Sequence, residues 1–142
     1  MAFGFGIPLA FAVQRLDVPP VAWALLGANV LWTIAYDTEY AMVDRDDDMK
    51  IGICTSAILF GRYDVSAVMI LYALFIASLV AIGLWQRFGI YYYAGVHAAA
   101  LLAAWHYPMI RGRDRDRLFK AFLHNNWIGA AVFAGIFADQ WR

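Results

Sequence analysis

Six of the eleven acidic residues, Asp37, Glu39, Asp44, Asp46, Asp47 and Asp48, lie within twelve residues of one another. If one helix carries this stretch, the positions seven and eleven beyond Asp37 return to within about 20° of it. Asp37, Asp44 and Asp48 then share one stripe. Asp46 points to the opposite side, and Asp47 lies well off the stripe. Carboxylates this close repel one another unless something cationic sits between them. Hard divalent cations prefer carboxylate oxygens, and Mg²⁺ usually binds through one or two of them plus a substrate's phosphates. The stripe therefore suggests a phosphorylated substrate held by Mg²⁺. Arg45, Lys50 and Arg62 are nearby bases suited to phosphate oxygens. The plainer reading is a solvated acidic loop that ends a helix, and it is preferred for Asp46 and Asp47. It suits Asp37 and Asp44 less well, because the apolar run Tyr40-Ala41-Met42-Val43 lies between them. An ionisable group at membrane depth is a functional candidate.

The elements that must position these residues are membrane helices. Of 142 residues, 63% are of the AVILMFWYC set and only 15% are charged. A small soluble domain cannot hide that much apolar surface. The zero net charge, single cysteine and 17% aromatic content also argue against nucleic-acid binding, a disulfide scaffold and disorder. The expected fold class is all-α, a polytopic transmembrane helical bundle. Residues 20–36, 65–86, 90–110 and 121–139 read as four full spans, each close to the ~20 apolar residues a crossing needs. Residues 1–14 are apolar but too short, and read as a partial span cut off at its start.

Orientation follows from the basic loop Arg111, Arg113, Arg115, Arg117 and Lys120, which the positive-inside rule places in the cytoplasm. Counting back through the spans puts the acidic segment 37–64 on the same side. Both charge clusters, and Cys54 with them, then face one compartment.

The acidic segment resembles the second aspartate-rich motif of the UbiA superfamily of intramembrane prenyltransferases. Asp37, Tyr40, Ala41, Asp44 and Asp48 match every fixed position of D-x-x-Y-A-x-x-D-x-x-x-D. The longer run YDTEYAMVDRDDDMKIGI, followed by TSAILFGRYD, is most similar to the branch that prenylates 4-hydroxybenzoate in ubiquinone biosynthesis. The resemblance covers the whole chain, residues 1–142, as the C-terminal part of that fold. It implies a polyprenyltransferase of the bacterial inner membrane with its active-site loops in the cytoplasm. Its partners would be polyprenyl diphosphate, 4-hydroxybenzoate and membrane lipid, and its cofactor Mg²⁺. By the same resemblance Asp44 and Asp48 are the metal and diphosphate carboxylates. Asp37 faces the acceptor or the metal site, and Arg45 and Lys50 are weaker diphosphate contacts. The family's first motif, N-D-x-x-D-x-x-x-D, is expected upstream, in a missing N-terminal half. Cys54 stands where this branch often has lysine, which removes one cation from the loop.

Several other residues read as structural. Asp64 is expected to cap the helix that follows it. His97 and His106, nine apart, fall on opposite helix faces and suggest no metal site. His124, Asn125 and Asn126 suit packing between helices. Trp23, Trp32 and Trp85 suit the lipid or its interface. Residues 51–61 are read equally as a brief helix or a plain loop. Three other functions compete with transfer to 4-hydroxybenzoate: a non-catalytic membrane fragment, a related prenyltransferase with another acceptor, and a cation-binding transporter segment.

Overall fold

The computed structural model describes residues 2–141, which contain helices and turns and no strand. A short 3-10 turn, Ala2–Phe5, leads into α1 (Gly6–Arg15), followed by α2 (Pro20–Val43), α3 (Arg45–Ile51) and α4 (Ser56–Phe60). A second 3-10 turn, Gly61–Tyr63, precedes α5 (Asp64–Gln86), α6 (Ile90–Ile110) and α7 (Arg115–Gln140).

Helices α2, α5, α6 and α7 have 24, 23, 21 and 26 residues. At about 1.5 Å per residue they are roughly 32–39 Å long, enough for a hydrocarbon core of about 30 Å. Ser56–Gln86 and Arg115–Gln140 are also apolar enough to cross a membrane. The four expected spans thus rest on length alone for α2 and α6, and on length and apolarity for α5 and α7. The span expected at 121–139 starts earlier, because the Asp114 side chain accepts a hydrogen bond from the Arg117 N–H (3.0 Å) and caps α7 there. The expected partial span is the 10-residue α1, which ends at left-handed Leu16 and packs on α2.

The four long helices form a closed ring: α2 packs on α5 and α7, and α6 packs on α5 and α7. Inward positions recur every three or four residues, as in a bundle core. Val68, Tyr72, Phe75, Leu79 and Ile82 do so on α5, and Tyr92, Val96, Ala99 and Ala103 on α6. The outward faces carry Ile70, Leu74, Leu101, Trp105, Phe133 and Phe137, all exposed. Such a surface suits lipid rather than water.

The α6–α7 contact is the closest in the bundle core. A Cβ on Gly95 would lie 2.7 Å from the Ala131 carbonyl oxygen and 2.7 Å from the Gly135 Cα, both main-chain atoms of α7. Neither atom can move alone, so Gly95→Ala must push the helices apart. A loss of about 1–3 kcal/mol is expected, read as a lower thermal midpoint in detergent. An unchanged midpoint would show that the seam gives way freely.

The single helix expected through Asp48 is broken. α2 ends at Val43, Asp44 adopts φ −99° and ψ 5°, and a new helix starts at Arg45. The charges explain the break. Continued in α2, Asp46, Asp47 and Asp48 would crowd the negative C-terminal end of a long dipole. In α3 they occupy the first turn, where negative charge is favoured. The segment after α3 is part loop and part short helix. Gly52, at φ +74°, closes α3, and buried Thr38 of α2 holds α4 by a hydrogen bond to the Ser56 hydroxyl (3.0 Å).

Candidate functional site

A groove runs between α2 and α7. At its charged end a cavity of about 310 Å³ is lined by Tyr40, Val43, Asp44, Arg115, Asp116 and Phe119. The Asp44 carboxylate accepts a hydrogen bond from Arg115 Nη2 (3.3 Å), and Arg115 Nη1 lies 3.4 Å from Asp47. Asp48 sits one helical turn beyond Asp44, its N–H donating to the Asp44 carbonyl (2.9 Å). Its half-buried side chain has no partner among the described residues. Asp37 lies two turns before Asp44 on the exposed side of α2, also without a side-chain partner among the described residues.

Two of the three bases suited to phosphate, Arg45 and Lys50, are engaged with carboxylates. Arg45 Nη1 donates to Asp64 Oδ2 (2.9 Å), and Lys50 Nζ to Asp47 Oδ1 (3.0 Å). The Lys50 ammonium, helped by the Arg115 charge, holds the Asp47 carboxyl below the usual carboxylate range. Arg62 stacks its guanidinium over the Tyr63 ring at 4.6 Å. Arg115, one of the loop bases read first as a topology signal, lines this cavity.

Asp64 does not stand at the capping position of α5 as expected, although its carboxylate accepts the N–H of Val65 at the start of that helix (2.7 Å). It is the first residue of that helix and fully buried, and it accepts hydrogen bonds from Arg45 and from Arg113 Nη2 (2.6 Å). Tyr63 occupies the capping position instead. A buried carboxylate without cations would be costly, so the two arginines, one from α3 and one from the α6–α7 loop, are drawn to it. They tie the charged end of the groove to the bundle.

No three His, Cys, Asp or Glu side chains among the described residues converge on a metal position. Asp44 and Asp48 are two hard-oxygen donors one turn apart, and Asp48 is unpaired. That donor set fits Mg²⁺, which needs no more than one or two carboxylates when substrate phosphates supply further oxygens.

A polar network that the sequence did not reveal lies inside the bundle. Glu39, on the face of α2 opposite Asp37, is fully buried beside fully buried His106 of α6. His106 Nδ1 donates to Glu39 Oε1 (2.8 Å), and His106 Nε2 lies 3.3 Å from His124 Nδ1 of α7. Asn125 Nδ2 donates to Glu39 Oε2 (3.2 Å) and to the Tyr72 hydroxyl, while Asn125 Oδ1 accepts from Trp32 Nε1 (2.6 Å). Trp32 is therefore not a lipid-facing residue as expected. Its ring stacks on Phe75 at 5.8 Å and packs against Gly129. One signal was available: Glu39 falls on the stripe of Ala28, Ala35 and Met42, whose seven-residue spacing marks the buried face of α2.

The chain matches the UbiA prenyltransferase family over residues 1–136. It is 59% identical over 98% of its length to a protein of Nitrosospira multiformis named 4-hydroxybenzoate octaprenyltransferase, of which it covers 48%. The same name is carried by similar proteins of Azoarcus sp. (58% identical over 98% of this chain, 48% of the relative) and Aromatoleum aromaticum (55% over 98%, 47% of the relative). The chain spans about half the length of these curated relatives. No solved structure matches it.

Proposed function

Because the chain belongs to the UbiA prenyltransferase family, we propose that it forms part of a Mg²⁺-dependent enzyme that transfers a polyprenyl group from polyprenyl diphosphate to 4-hydroxybenzoate. The observation that carries the proposal is Asp44 in a cavity shared with Tyr40, Phe119 and Arg115, with the unpartnered Asp48 one helical turn beyond it. The names of the relatives support the acceptor. The enzyme sits in the bacterial inner membrane, crossed by α2, α5, α6 and α7, with the charged end of the groove in the cytoplasm.

Asp44 and Asp48 would hold the Mg²⁺, which when bound neutralises the diphosphate and makes it a better leaving group. The protein's own groups do the rest. Arg115, with its side chain 63% exposed, is free to swing from Asp44 onto a phosphate oxygen. Arg45 ties α3 to buried Asp64, Lys50 bridges to Asp47 within α3, and both add positive charge there. Tyr40, Phe119 and Phe122 form an apolar, aromatic wall. It keeps water from the allylic carbon and stabilises positive charge there. The allylic C–O bond breaks and its electron pair leaves with the diphosphate. The ring carbon ortho to the phenol hydroxyl then bonds to the allylic carbon. Loss of the ring proton to a carboxylate base, the role we give Asp37, restores the aromatic ring.

The relatives are about twice as long as this chain, so the test supplies the other half. Membranes holding the chain together with the upstream half of one relative are given labelled prenyl diphosphate, 4-hydroxybenzoate and Mg²⁺. Prenylated acceptor is expected. Absence of product, both from the two co-produced pieces and from the two fused as one polypeptide, would overturn the proposal.

A further inference from the structure

Helix α3 carries Asp48, yet little of its own holds it in place. It has seven residues and buries none of them. A helix that short is marginal without tertiary support, and its principal neighbour is α4, itself only five residues long. Among the described residues, two side-chain bonds leave α3 for the rest of the chain. One joins Asp47 to Arg115 at 3.4 Å, with both side chains more than half exposed. Such a pair is worth little. The other runs from Arg45 Nη1 to Asp64 Oδ2 at 2.9 Å, and Asp64 is fully buried.

Asp64 is built as an anchor. Its carboxylate accepts four hydrogen bonds: from the Val65 N–H (2.7 Å), from Arg45, and from Arg113 through both Nη2 (2.6 Å) and Nε (3.1 Å). A carboxylate has about four lone-pair sites, so the group is saturated. The two bonds from Arg113 form a fork, which fixes direction as well as distance. The same guanidinium donates to the Arg62 carbonyl (3.1 Å). Arg113 itself sits at φ +51°, in the left-handed region that residues with a side chain rarely adopt. Such a conformation persists only where the surroundings hold it, and the fork to Asp64 supplies that hold.

The two guanidiniums stand on the two approaches to Asp44 and Asp48. Arg45 follows Asp44 directly and opens the helix whose first turn holds Asp48. Arg113 lies two residues before Arg115, which bonds to Asp44 at 3.3 Å. Asp64, Arg45, Arg113 and Arg115 also line one cavity of about 310 Å³, so all four meet at the same end of the bundle.

We propose that Asp64 is a positioning residue for Asp44 and Asp48. Through Arg45 it fixes α3, and so the place of Asp48. Through Arg113 it fixes the α6–α7 loop, and so the reach of Arg115 to Asp44. An asparagine there keeps the shape but has one acceptor oxygen and turns an NH₂ towards an arginine, so at least one arm is released. The metal-binding role of Asp48 rests on the prenyl-transfer reading; the anchoring of α3 does not.

Hydrogen exchange of the full chain in lipid nanodiscs, read peptide by peptide by mass spectrometry, measures the anchoring directly. Asp64→Asn is expected to raise exchange across residues 45–53 about 10- to 100-fold, the scale of a hydrogen bond to a charged group. The body of α5 and α6 keeps parental protection. A change at a fully buried site can unfold a chain, so Arg45→Gln and Arg113→Gln, at partly exposed positions, release one arm at a time. Arg45→Gln speeds exchange in α3 and leaves residues 111–114 unchanged, and Arg113→Gln does the reverse. In the enzyme assembled from the chain and the upstream half, Asp64→Asn and Arg45→Gln raise the Mg²⁺ concentration for half-maximal rate about 10- to 100-fold, the scale of a change behind a metal ligand. KM for 4-hydroxybenzoate stays unmoved. Parental exchange of α3 in both Asp64→Asn and Arg45→Gln overturns the proposal. So does a uniform rise over all the helices in Arg45→Gln, and so does a released α3 with parental Mg²⁺ dependence. A released α3 in an assembly that never transfers upholds the anchor and counts against the transferase reading alone.

Discussion

Asp48→Asn is expected to lower prenyl transfer by about 100- to 1,000-fold, the scale of losing one preorganised charge-stabilising group, while leaving the helix content unchanged. The two halves of that expectation have separate causes. The Asp48 side chain makes no hydrogen bond or ion pair among the described residues, so its charge contributes little to folding. The same isolation leaves its oxygens available to a divalent cation, and an amide is a poorer ligand than a carboxylate for a hard ion. Raising Mg²⁺ should restore part of the rate, because weaker binding yields to mass action. Chelating the metal should abolish transfer in parent and variant alike. Asp44→Asn should cost at least as much activity, since it also loosens Arg115, which now bonds to Asp44 at 3.3 Å. Initial rates over a range of Mg²⁺ concentrations give the answer. A parental rate and metal dependence in Asp48→Asn would remove this residue from the site.

The second large effect is on stability. His106→Leu is expected to destabilise the bundle by about 1–3 kcal/mol, the usual cost of leaving a buried polar group without its hydrogen-bond partner. Glu39 and His106 are both fully buried, 2.8 Å apart. Without the imidazole, Glu39 loses its shortest hydrogen bond and keeps the longer one from the Asn125 amide, at 3.2 Å, in a fully buried place. Leucine fills the space but supplies no donor. A double variant, Glu39→Leu with His106→Leu, should be less damaged than the sum of the two single changes, because neither partner is then left unpaired. Thermal melts in detergent followed by circular dichroism measure all three. A His106→Leu midpoint equal to the parent's would show that the network does not hold the helices together.

How much of this was legible in the chain varies by residue. α6 was read at its full extent and α5 to within one residue, because a long apolar run with breaking loops at each end leaves few alternatives in a bilayer. The one-turn spacing of Asp44 and Asp48 was readable because it is local: two residues four apart stay one turn apart whether the helix is α2 continued or α3 begun anew. Asp64 was misread for the opposite reason. Its partners Arg45 and Arg113 are 19 and 49 residues away, and no periodicity in the sequence joins them. Trp32 was misread because lipid and a helix core are equally apolar, so composition cannot say which face of α2 turns inward.

By itself, then, the sequence determined the helices, their membrane-suited composition and the acidic motif with its family, all of which depend on residues close together along the chain. Only the tertiary structure decided that Glu39 turns away from the acidic stripe and into the core, that Asp64 gathers two arginines, and that Asn125 bonds to Glu39, Tyr72 and Trp32. These outcomes depend on groups carried by different helices. A buried polar atom must find a partner wherever one exists, and the way α2, α5, α6 and α7 pack into one bundle settles which partner is within reach.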